Sequence, residues 1–417
     1  MKKPKQQKHQ NVLEGLEVYQ VGGSVRDSIQ GLEPSDHDWV VVGATQEMMI
    51  ARGFKQVGEN FPVYLHPKTK EEYALARKEI SEGKGHKEFS CIFDPDVTLE
   101  EDLKRRDLTV NAVAIDSAGK LIDPYNGIED IKKKILRVVD PKAFIEDPLR
   151  VLRVARFAAK LPNFKIATKT INLMKKISAS GGLDSLTPER IWMETEKALK
   201  TFRPRRYFDT LKDCDALRTV FPEFQKLVDI PQPEKHHRCD AYEHSMRSLQ
   251  ASICTAKTRV RFAVATHDLG KGETREEILP HHFGHELMSQ IAVNELCDRL
   301  RIPNHFRDLA VVVAREHMNF HRLKEMTPQK ILRLCKKLNV FHEETMTDDF
   351  IISCLCDTKM EKDEPEFLDD LKEKTEQAGF LKEAADGLRG IDNKEVIHRS
   401  RLNKIKRIKR KLKGDKT

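Results

Sequence analysis

Short apolar runs with the composition of β-strands alternate with turn-forming clusters over residues 18–123. The runs at 39–42, 63–65, 73–76 and 110–115 are rich in Val, Ala, Tyr and Ile. Each has the length of a strand and is bounded by turn-forming residues. Helical stretches lie between them, so this part of the chain is predicted to form a small mixed α/β domain.

Apolar residues at helical spacing replace these runs after residue 128. The segments 149–161 and 191–199 repeat apolar residues every three or four positions, which is the period of an amphipathic helix. Pro231 and Pro233 interrupt any helix at this point, because proline lacks a backbone N–H. The fold class is therefore predicted to be α+β, with no strand beyond residue 128.

These changes of pattern divide the chain into five segments. We expect a basic, disordered leader, an α/β head, a helical neck and body, a histidine-rich helical domain, and a helical tail with a basic C-terminus. In that order, the segments are 1–16, 17–140, 141–227, 228–360 and 361–417.

The net charge of +8 favours a polyanionic partner without establishing one. Residues 401–416 contain nine Lys or Arg and one Asp, and Ile405, Ile408 and Leu412 share one helical face. This segment fits either a solvated terminal helix or a tail that contacts RNA phosphates. The acidic segment 361–376 fits either a linker or a solvated helix face.

Composition also limits the location of the protein. The apolar runs are too short to cross a membrane, and no apolar stretch of a secretory signal follows the basic N-terminus. The eight cysteines include no CxxC pair, which fits reduced thiols better than a disulfide framework. We therefore expect a cytoplasmic protein with no membrane partner.

Three segments of the head carry groups that suit phosphate chemistry. The glycine pair of 21–27 (VGGSVRD) lets backbone N–H groups approach a phosphate, and Arg26 can bind one with two hydrogen bonds. Asp36 and Asp38 are spaced to lie on the same face of a strand and can hold Mg²⁺. Glu72 adds a third carboxylate if its strand is the neighbour; otherwise it is an exposed acid at a strand edge.

Two further segments supply arginines. In 102–112 (DLKRRDLTVNA), Arg105 and Arg106 suit a triphosphate, whereas Asp107 is expected to fix an arginine. In 146–157 (EDPLRVLRVARF), Pro148 suits the first position of a helix that Asp147 caps. Asp147, Arg150 and Arg153 lie near one face and can either present a base-like hydrogen-bonding edge or form a surface ion-pair ladder.

Taken in order, GGSVRD, DHDWVVVG, DLKRRDLTVNA, DPYNG and EDPLRVLRVARF resemble the class II tRNA nucleotidyltransferase and poly(A) polymerase family. LTPERIWMETEKAL resembles its next helical motif, and ATHDLGKG around His267 resembles the HD-domain subgroup of bacterial multifunctional CCA enzymes. The resemblance implies a polymerase-beta-like nucleotidyltransferase head followed by an all-helical neck, body and HD domain. It further implies template-independent addition and repair of the CCA end of tRNA from CTP and ATP.

By the same resemblance, Asp36, Asp38 and Glu72 are the catalytic carboxylates and the first two bind Mg²⁺. The matching nucleotide-binding positions are Gly23, Arg26, Arg106, Asp147, Arg150 and Arg153, of which Asp147 and Arg150 match the pair that serves as an amino-acid template. The stretch 78–90 (KEISEGKGHKEFS) matches the segment that helps the switch from C to A addition. Its full length favours complete CCA addition, although Ile80 stands where relatives often have a second arginine.

In the HD domain, His244, His267, Asp268 and Asp357 would supply two imidazoles and two carboxylates to a transition metal such as Ni²⁺ or Co²⁺. His285, His317 and His321 would serve a second ion or a phosphate. The activity implied is hydrolysis of 2′,3′-cyclic phosphates and phosphomonoesters.

The alternatives are a bacterial poly(A) polymerase, an RNA-binding module without catalysis, a phosphohydrolase with a regulatory head, and a degenerate HD fold that only binds tRNA. The sequence leaves open whether the protein is a monomer or a homodimer.

Overall fold

The computed structural model describes residues 10–34, 36–58, 62–81, 89–233, 239–340, 344–357, 367–388 and 396–412. The chain divides into two compact units, Met1–Leu186 and Thr187–Thr417. The division falls inside the segment 141–227, which the sequence predicts as one neck and body.

Within its described residues, the first unit contains eleven strands, seven of which form one sheet. Its strands are β1 (Glu17–Val21), β2 (Asp38–Val42), β3 (Lys55–Val57), β4 (Val63–Leu65), β5 (Glu72–Leu75), β6 (Lys78–Ser81), β7 (Phe89–Ile92), β8 (Ala114–Ile115), β9 (Leu121–Ile122), β10 (Ile135–Leu136) and β11 (Lys165–Ile166). Its helices are α1 (Gln10–Leu13), α2 (Gly23–Ile29), α3 (Gln46–Ala51), α4 (Leu99–Lys104), α5 (Gly127–Lys133), α6 (Pro141–Glu146), α7 (Leu149–Lys160) and α8 (Thr168–Ala179). The sheet has the order β3-β4-β5-β2-β1-β8-β9, and β2 and β5 run parallel.

Apolar residues cover both faces of this sheet, which explains the β-branched run of β2. Val40 packs with Val21 on one face, and Val41 packs with Tyr73 on the other. Trp39 lies directly opposite Tyr73, and their rings stack with centroids 5.7 Å apart. The strands predicted at 39–42, 63–65 and 73–76 are confirmed as β2, β4 and β5.

Three local predictions differ from the structure. Of the strand predicted at 110–115, only β8 forms, because a 3₁₀ turn at Thr109–Asn111 occupies its start. Beyond residue 128, β10 and β11 form a short parallel pair, so the expectation of no further strand was wrong. The leader predicted to be disordered ends in α1, and Val12, Leu13 and Leu16 pack against the apolar cluster beneath the sheet. Residues 1–9 lie outside the described residues.

In its described residues, the regular secondary structure of the second unit is all helical. Its helices are α9 (Pro188–Leu199), α10 (Arg205–Asp213), α11 (Leu217–Val220), α12 (Pro222–Gln225), α13 (Ala241–Ala251), α14 (Thr258–Thr266), α15 (His285–Arg299), α16 (Asn304–His321), α17 (Pro328–Lys337), α18 (Glu344–Cys356), α19 (Phe367–Leu388) and α20 (Val396–Leu412). Helix α16 packs against α14, α15 and α18 and lies at the centre of the unit. Trp192 of α9 makes ring contacts with Phe262 and Phe306, which ties α9 to this core.

The acidic and basic segments near the C-terminus form helices. Beyond the undescribed residues 361–366, the acidic segment is helical as the start of α19, and residues 401–412 of the basic segment are helical within α20; residues 413–416 lie outside the described residues. Ile405 and Ile408 are buried, and α20 packs against α17 and α19. Among the described helices, none is both long enough and apolar enough to cross a membrane.

Candidate functional sites

Two carboxylates of the head lie side by side at the ends of neighbouring strands. Asp38 begins β2 and pairs in register with Glu72, which begins β5, and with Val21, which ends β1. Because residues opposite each other in a sheet direct their side chains to the same face, Asp38 and Glu72 share one face. Both are exposed. The strand of Glu72 is therefore the neighbour of β2, and the role of Glu72 as a third acid stays a prediction.

Asp36 lies in the bend before β2 and not in the strand. The predicted alternation of Asp36 and Asp38 along one strand is therefore wrong, since β2 begins only at Asp38. The bend brings Asp36 toward the end of α7. There, burial and Arg26 lower the pKa of Lys160, while Asp27 and Asp36 oppose that shift.

A glycine turn borders the same carboxylates. Gly22 has φ +77°, and a Cβ added there would lie 3.3 Å from Nη1 of Arg106 and 3.4 Å from Oδ2 of Asp38. Only glycine combines this conformation with such close neighbours at little cost. The oxygen donors of Asp36, Asp38 and Glu72 suit Mg²⁺, which prefers carboxylate ligands. We call these three residues the carboxylate site; their role as Mg²⁺ ligands stays a prediction.

Arg106 is oriented by the helix before it. Asp102 of α4 is buried and accepts hydrogen bonds from Nε of Arg105 at 2.9 Å and from Nη2 of Arg106 at 3.1 Å. Burial raises the pKa of Asp102, but Arg105 and Arg106 overcome this and hold it below its usual value. Asp102 thus fixes both arginines and holds Arg106 beside the carboxylate site, a role that was not predicted from the sequence.

A chain of hydrogen bonds, two of them buried, joins three of the sequence motifs. Nη1 of Arg26 donates to Oδ1 of Asn111 at 2.7 Å, and Nδ2 of Asn111 donates to Oδ1 of Asp107 at 3.0 Å. Nε of Arg153 donates to Oδ2 of Asp107 at 2.8 Å. Asp107 therefore fixes an arginine, as predicted.

Two residues of this hydrogen-bond chain, Arg26 and Asn111, differ from what the sequence predicts. Arg26 is 1% exposed, and its Nε also donates to Asp27 at 2.9 Å. The structure thus places Arg26 within the framework of the site, and its direct contact with a nucleotide stays a prediction. Gly23, the first residue of α2, lies next to this guanidinium. Asn111 was missed, although its position four residues after Asp107 was visible in the motif.

The predicted base-selecting residues lie at the start of α7. The helix begins at Leu149, one residue later than predicted, but Oδ1 of Asp147 still accepts a hydrogen bond from the Leu149 N–H at 3.3 Å. Arg150 is buried, with its guanidinium 5.9 Å from the centre of the Phe144 ring. Arg153 is partly exposed and held by Asp107. The role of Asp147, Arg150 and Arg153 in base selection stays a prediction.

Replacing Asp107 with Asn should weaken the head, because Arg153 would lose its buried charged partner. Since Arg153 still reaches solvent, we expect a loss of about 1–3 kcal/mol in the free energy of unfolding at pH 7. Burial raises the pKa of Asp107, but Arg153 and Asn111 hold it well below its usual value. Its stabilisation is therefore complete above about pH 5 and is lost in acid. Denaturant unfolding of the wild type and the variant at pH 7 and pH 3 measures the difference between their free energies of unfolding. We expect this difference to be smaller at pH 3. An equal difference at both pH values would contradict the stabilising role of the Asp107 carboxylate.

The stretch expected to switch between C and A addition begins and ends in a strand pair. Strands β6 and β7 pair through Lys78–Ser81 and Phe89–Ile92. The middle of the stretch, 82–88, lies outside the described residues.

A second group of chemical side chains lies within the helical unit. It gathers residues from α13, the end of α14, α15, α16 and the residue after α18. We call it the histidine cluster: His244, His267, Asp268, His285, His317, His321 and Asp357, all buried except the half-buried His321. The four residues predicted to be metal ligands are far apart in the sequence, and the fold brings them together. The three further histidines lie in the same cluster.

Two carboxylates connect the imidazoles of this cluster. Oδ1 of Asp357 lies 3.1 Å from Nε2 of His244, and Oδ2 of Asp357 lies 2.8 Å from Nε2 of His321. Oδ2 of Asp268 lies 3.2 Å from Nε2 of His267. Two overlapping sets, His244–His267–Asp357 and His267–Asp268–His317, have donor atoms close enough to hold a metal ion.

The tautomers of three imidazoles follow from their backbone contacts. Nδ1 of His267 lies 2.7 Å from the carbonyl oxygen of Val264, and His285 and His317 make equivalent contacts. A carbonyl can only accept, so Nδ1 donates and the lone pair of a neutral ring is on Nε2. This is the arrangement of metal-binding histidines.

Two buried polar atoms of the cluster also favour a metal ion. Nε2 of His267 and Oδ1 of Asp268 are buried, and within the described residues they form no hydrogen bond of acceptable geometry. Burial lowers the pKa of His267, but Asp268 and Asp357 outweigh it and raise the pKa to about 10. A metal ion bound here would give Nε2 of His267 and Oδ1 of Asp268 the partner that each lacks among the described residues.

Further residues hold the cluster in place. Nζ of Lys271 lies 2.6 Å from Oδ2 of Asp268 and donates to Gln232 at 2.7 Å. Nζ of Lys374 donates to the carbonyl oxygen of Asp357 at 2.5 Å. A Cβ on Gly270 would collide with backbone atoms of α15, so glycine permits the close packing that follows Asp268. Neither lysine was predicted from the sequence to have a role. Lys374 lies 17 residues after Asp357, too far for a local sequence pattern to connect the two.

Two family models and several known proteins match this chain. Residues 18–137 match a family model described as the poly A polymerase head domain, and residues 163–227 match one described as a probable RNA and SrmB-binding site of polymerase A. A multifunctional CCA protein of Vibrio parahaemolyticus is 47% identical over 386 residues, which are 92% of this chain and 93% of that protein. One from Thioalkalivibrio sulfidiphilus is 45% identical over 94% of this chain and 99% of its own length.

Solved structures share the fold at lower identity. A CCA-adding enzyme in an apo form superposes with a TM-score of 0.65 at 20% identity, covering 96% of this chain and 89% of the other. The Thermotoga maritima CCA-adding enzyme complexed with tRNA superposes with a TM-score of 0.63 at 20% identity, covering 96% and 88%. These likenesses confirm the predicted fold class, a polymerase-beta-like head with a largely helical remainder.

Proposed function

We propose that this chain, which belongs to the multifunctional CCA protein family, completes and repairs the 3′-terminal CCA of tRNA from CTP and ATP. Full-length relatives at 45–47% identity carry that name. The observation that carries the proposal is the register of the sheet, which sets Asp38 beside Glu72 on one exposed face. The Gly22 turn and Arg106 border the same face.

The chemistry proposed at the carboxylate site is an in-line phosphoryl transfer. The 3′-hydroxyl of tRNA attacks the α-phosphorus of the incoming nucleotide, and pyrophosphate leaves. Asp36, Asp38 and Glu72 would hold Mg²⁺, which supplies positive charge to the reacting oxygens. Arg106, oriented by Asp102, is placed to bind the triphosphate, because its guanidinium lies beside the glycine turn.

Base selection without a nucleic-acid template requires fixed hydrogen-bonding groups on the protein. Asp147 accepts hydrogen bonds and Arg150 donates them, so together they complement the edge of C or A. The buried Arg26–Asn111–Asp107 chain holds Arg153 in place. A preorganised edge of this kind discriminates between bases, because a wrong base leaves buried polar groups unpaired.

Nucleotide addition by the purified chain tests this proposal. tRNA transcripts that end before CCA, after C and after CC would be incubated with Mg²⁺ and labelled CTP, ATP or both. We expect ordered growth to CCA followed by a stop, read as product length on a sequencing gel. Long tails of A alone on unrelated RNAs would instead identify a poly(A) polymerase and overturn the proposed selection of C.

We further propose that the histidine cluster is a metal-dependent phosphohydrolase site of the HD type. Its support is the geometry of the cluster: imidazoles with their Nε2 atoms directed at two buried carboxylates. Such mixed nitrogen and oxygen ligands suit a transition metal such as Ni²⁺ or Co²⁺. The bound metal would supply an activated water for hydrolysis of 2′,3′-cyclic phosphates and phosphomonoesters.

A further inference from the structure

Two cysteine thiols meet in the second unit, far apart in the sequence. Sγ of Cys254 lies 3.9 Å from Sγ of Cys356, across a separation of 102 residues. Cys254 is exposed and Cys356 is buried. The seven cysteines whose side chains are described, which include these two, are free thiols.

Both thiols are joined directly to segments that carry the histidine cluster. Cys254 ends the 3₁₀ turn Ser252–Cys254, which follows α13, the helix of His244. Cys356 is the last residue of α18 and precedes Asp357. His244 and Asp357 face each other across 3.1 Å in the cluster. The thiol pair therefore lies where two cluster-bearing segments end.

The exposure of Cys254 distinguishes this pair from cysteines that only fill a core. A buried thiol behaves as a small apolar side chain, whereas an exposed thiol with a second thiol nearby can be oxidised and then resolved into a disulfide. In a cytoplasm, disulfides of this kind are transient and sense oxidation.

We propose that oxidation joins Cys254 and Cys356 in a reversible disulfide that distorts the histidine cluster and switches off hydrolysis, while nucleotide addition continues. This inference rests on the hydrolytic function proposed above. Its oxidant is a peroxide. The Cys254 thiolate attacks the peroxide O–O bond, which gives a sulfenic acid and, after protonation, water. The Cys356 thiol then attacks that sulfur and loses its proton, the S–S bond forms, and a second water leaves. Two electrons pass from the thiols to the peroxide, and a dithiol reductant reverses the reaction by exchange.

The geometry explains why the bond would disturb the cluster. The sulfurs must approach from 3.9 Å to about 2.05 Å, and the fixed dihedral angle of a disulfide then constrains the ends of the two segments. Functional groups need to hold their positions within about 0.5 Å. Asp357, the neighbour of Cys356, contacts His244 and His321, so a shift there changes the donor positions around the proposed metal.

The full chain, reduced and loaded with Ni²⁺, would be treated with a small excess of hydrogen peroxide. Peptide mapping by mass spectrometry would identify the cross-link. Retained Ni²⁺, hydrolysis of 2′,3′-cyclic AMP and CCA addition would be measured on the same samples. We expect a Cys254–Cys356 cross-link, loss of Ni²⁺ and a fall in hydrolysis of about tenfold or more. CCA addition should be unchanged, and dithiothreitol should restore the lost properties.

Two variants make the result specific. Cys254→Ser replaces an exposed thiol and should prevent both the cross-link and the losses, whereas Cys239→Ser, at a half-buried cysteine, should behave like the wild type. Absence of the cross-link, or a cross-link that leaves Ni²⁺ retention unchanged, would overturn the inference. If the reduced wild type hydrolyses nothing, the proposed hydrolase function fails. The cross-link and Ni²⁺ retention still decide whether the thiol pair acts on the cluster.

Discussion

Replacing Asp38 with Ala is expected to abolish nucleotide addition while leaving the fold intact. Asp38 lies in register with Glu72 and close to Gly22, so its carboxylate is at the centre of the carboxylate site. Loss of one such group removes several kcal/mol of charge stabilisation in the transition state, which corresponds to a decrease of about 10³-fold in rate. Because Asp38 is exposed and adjoins another acid, its removal costs little folding free energy.

The measurement is single-turnover addition of C to a tRNA that lacks CCA, with thermal unfolding on the same preparations. Glu72→Gln should lower the rate in the same direction. Glu71→Gln is the matched control, since Glu71 precedes β5 and accepts a hydrogen bond from Thr69. Retention by Asp38→Ala of more than a tenth of the wild-type rate would show that the metal-binding carboxylates lie elsewhere.

The parts of the head that could be predicted are those with a strong local pattern. Strand β2 follows from four consecutive apolar residues, three of them β-branched valines, and α7 follows from apolar positions repeated at helical spacing. The pairs β8–β9 and β10–β11 contain two residues per strand, too few to show a period. The turn at Thr109–Asn111 replaces a strand because it lets Asn111 reach Arg26 and Asp107, a tertiary requirement that overrides local propensity.

The candidate sites, too, could be predicted only as far as local sequence patterns reach. Local motifs and the family resemblance selected Asp36, Asp38 and the histidines, but the position of Glu72 depends on the register between β2 and β5. The bond between Arg26 and Asn111 spans 85 residues, and that between Lys374 and Asp357 depends on how α19 packs. Sequence patterns indicate which residues carry chemistry; long-range packing decides which of them share a site and which ones, such as Arg26, are buried as its support.

Replacing His267 with Ala should remove hydrolysis and metal binding together while nucleotide addition persists. His267 belongs to both donor sets of the histidine cluster, and its Nδ1 contact with Val264 directs Nε2 toward Asp268 and Asp357. Loss of an outer-shell partner already costs about 10–100-fold in metal affinity or activity, so loss of a ligand should cost at least about 10²-fold. The carboxylate site belongs to the other compact unit, which predicts an unchanged rate of C addition.

His267 is buried, so truncation also leaves a cavity, and a second variant must separate chemistry from folding. Asp268→Asn keeps the shape of the side chain, removes one carboxylate and should also lose hydrolysis. His305→Ala is the matched control, because His305 is exposed and lies outside the cluster. Retained Ni²⁺, hydrolysis of 2′,3′-cyclic AMP and C addition would be compared in all three.

If His267→Ala and Asp268→Asn keep full hydrolysis, the cluster is not the hydrolytic site. If they lose C addition equally while remaining folded, the two activities are not separable, and the division into independent sites is wrong.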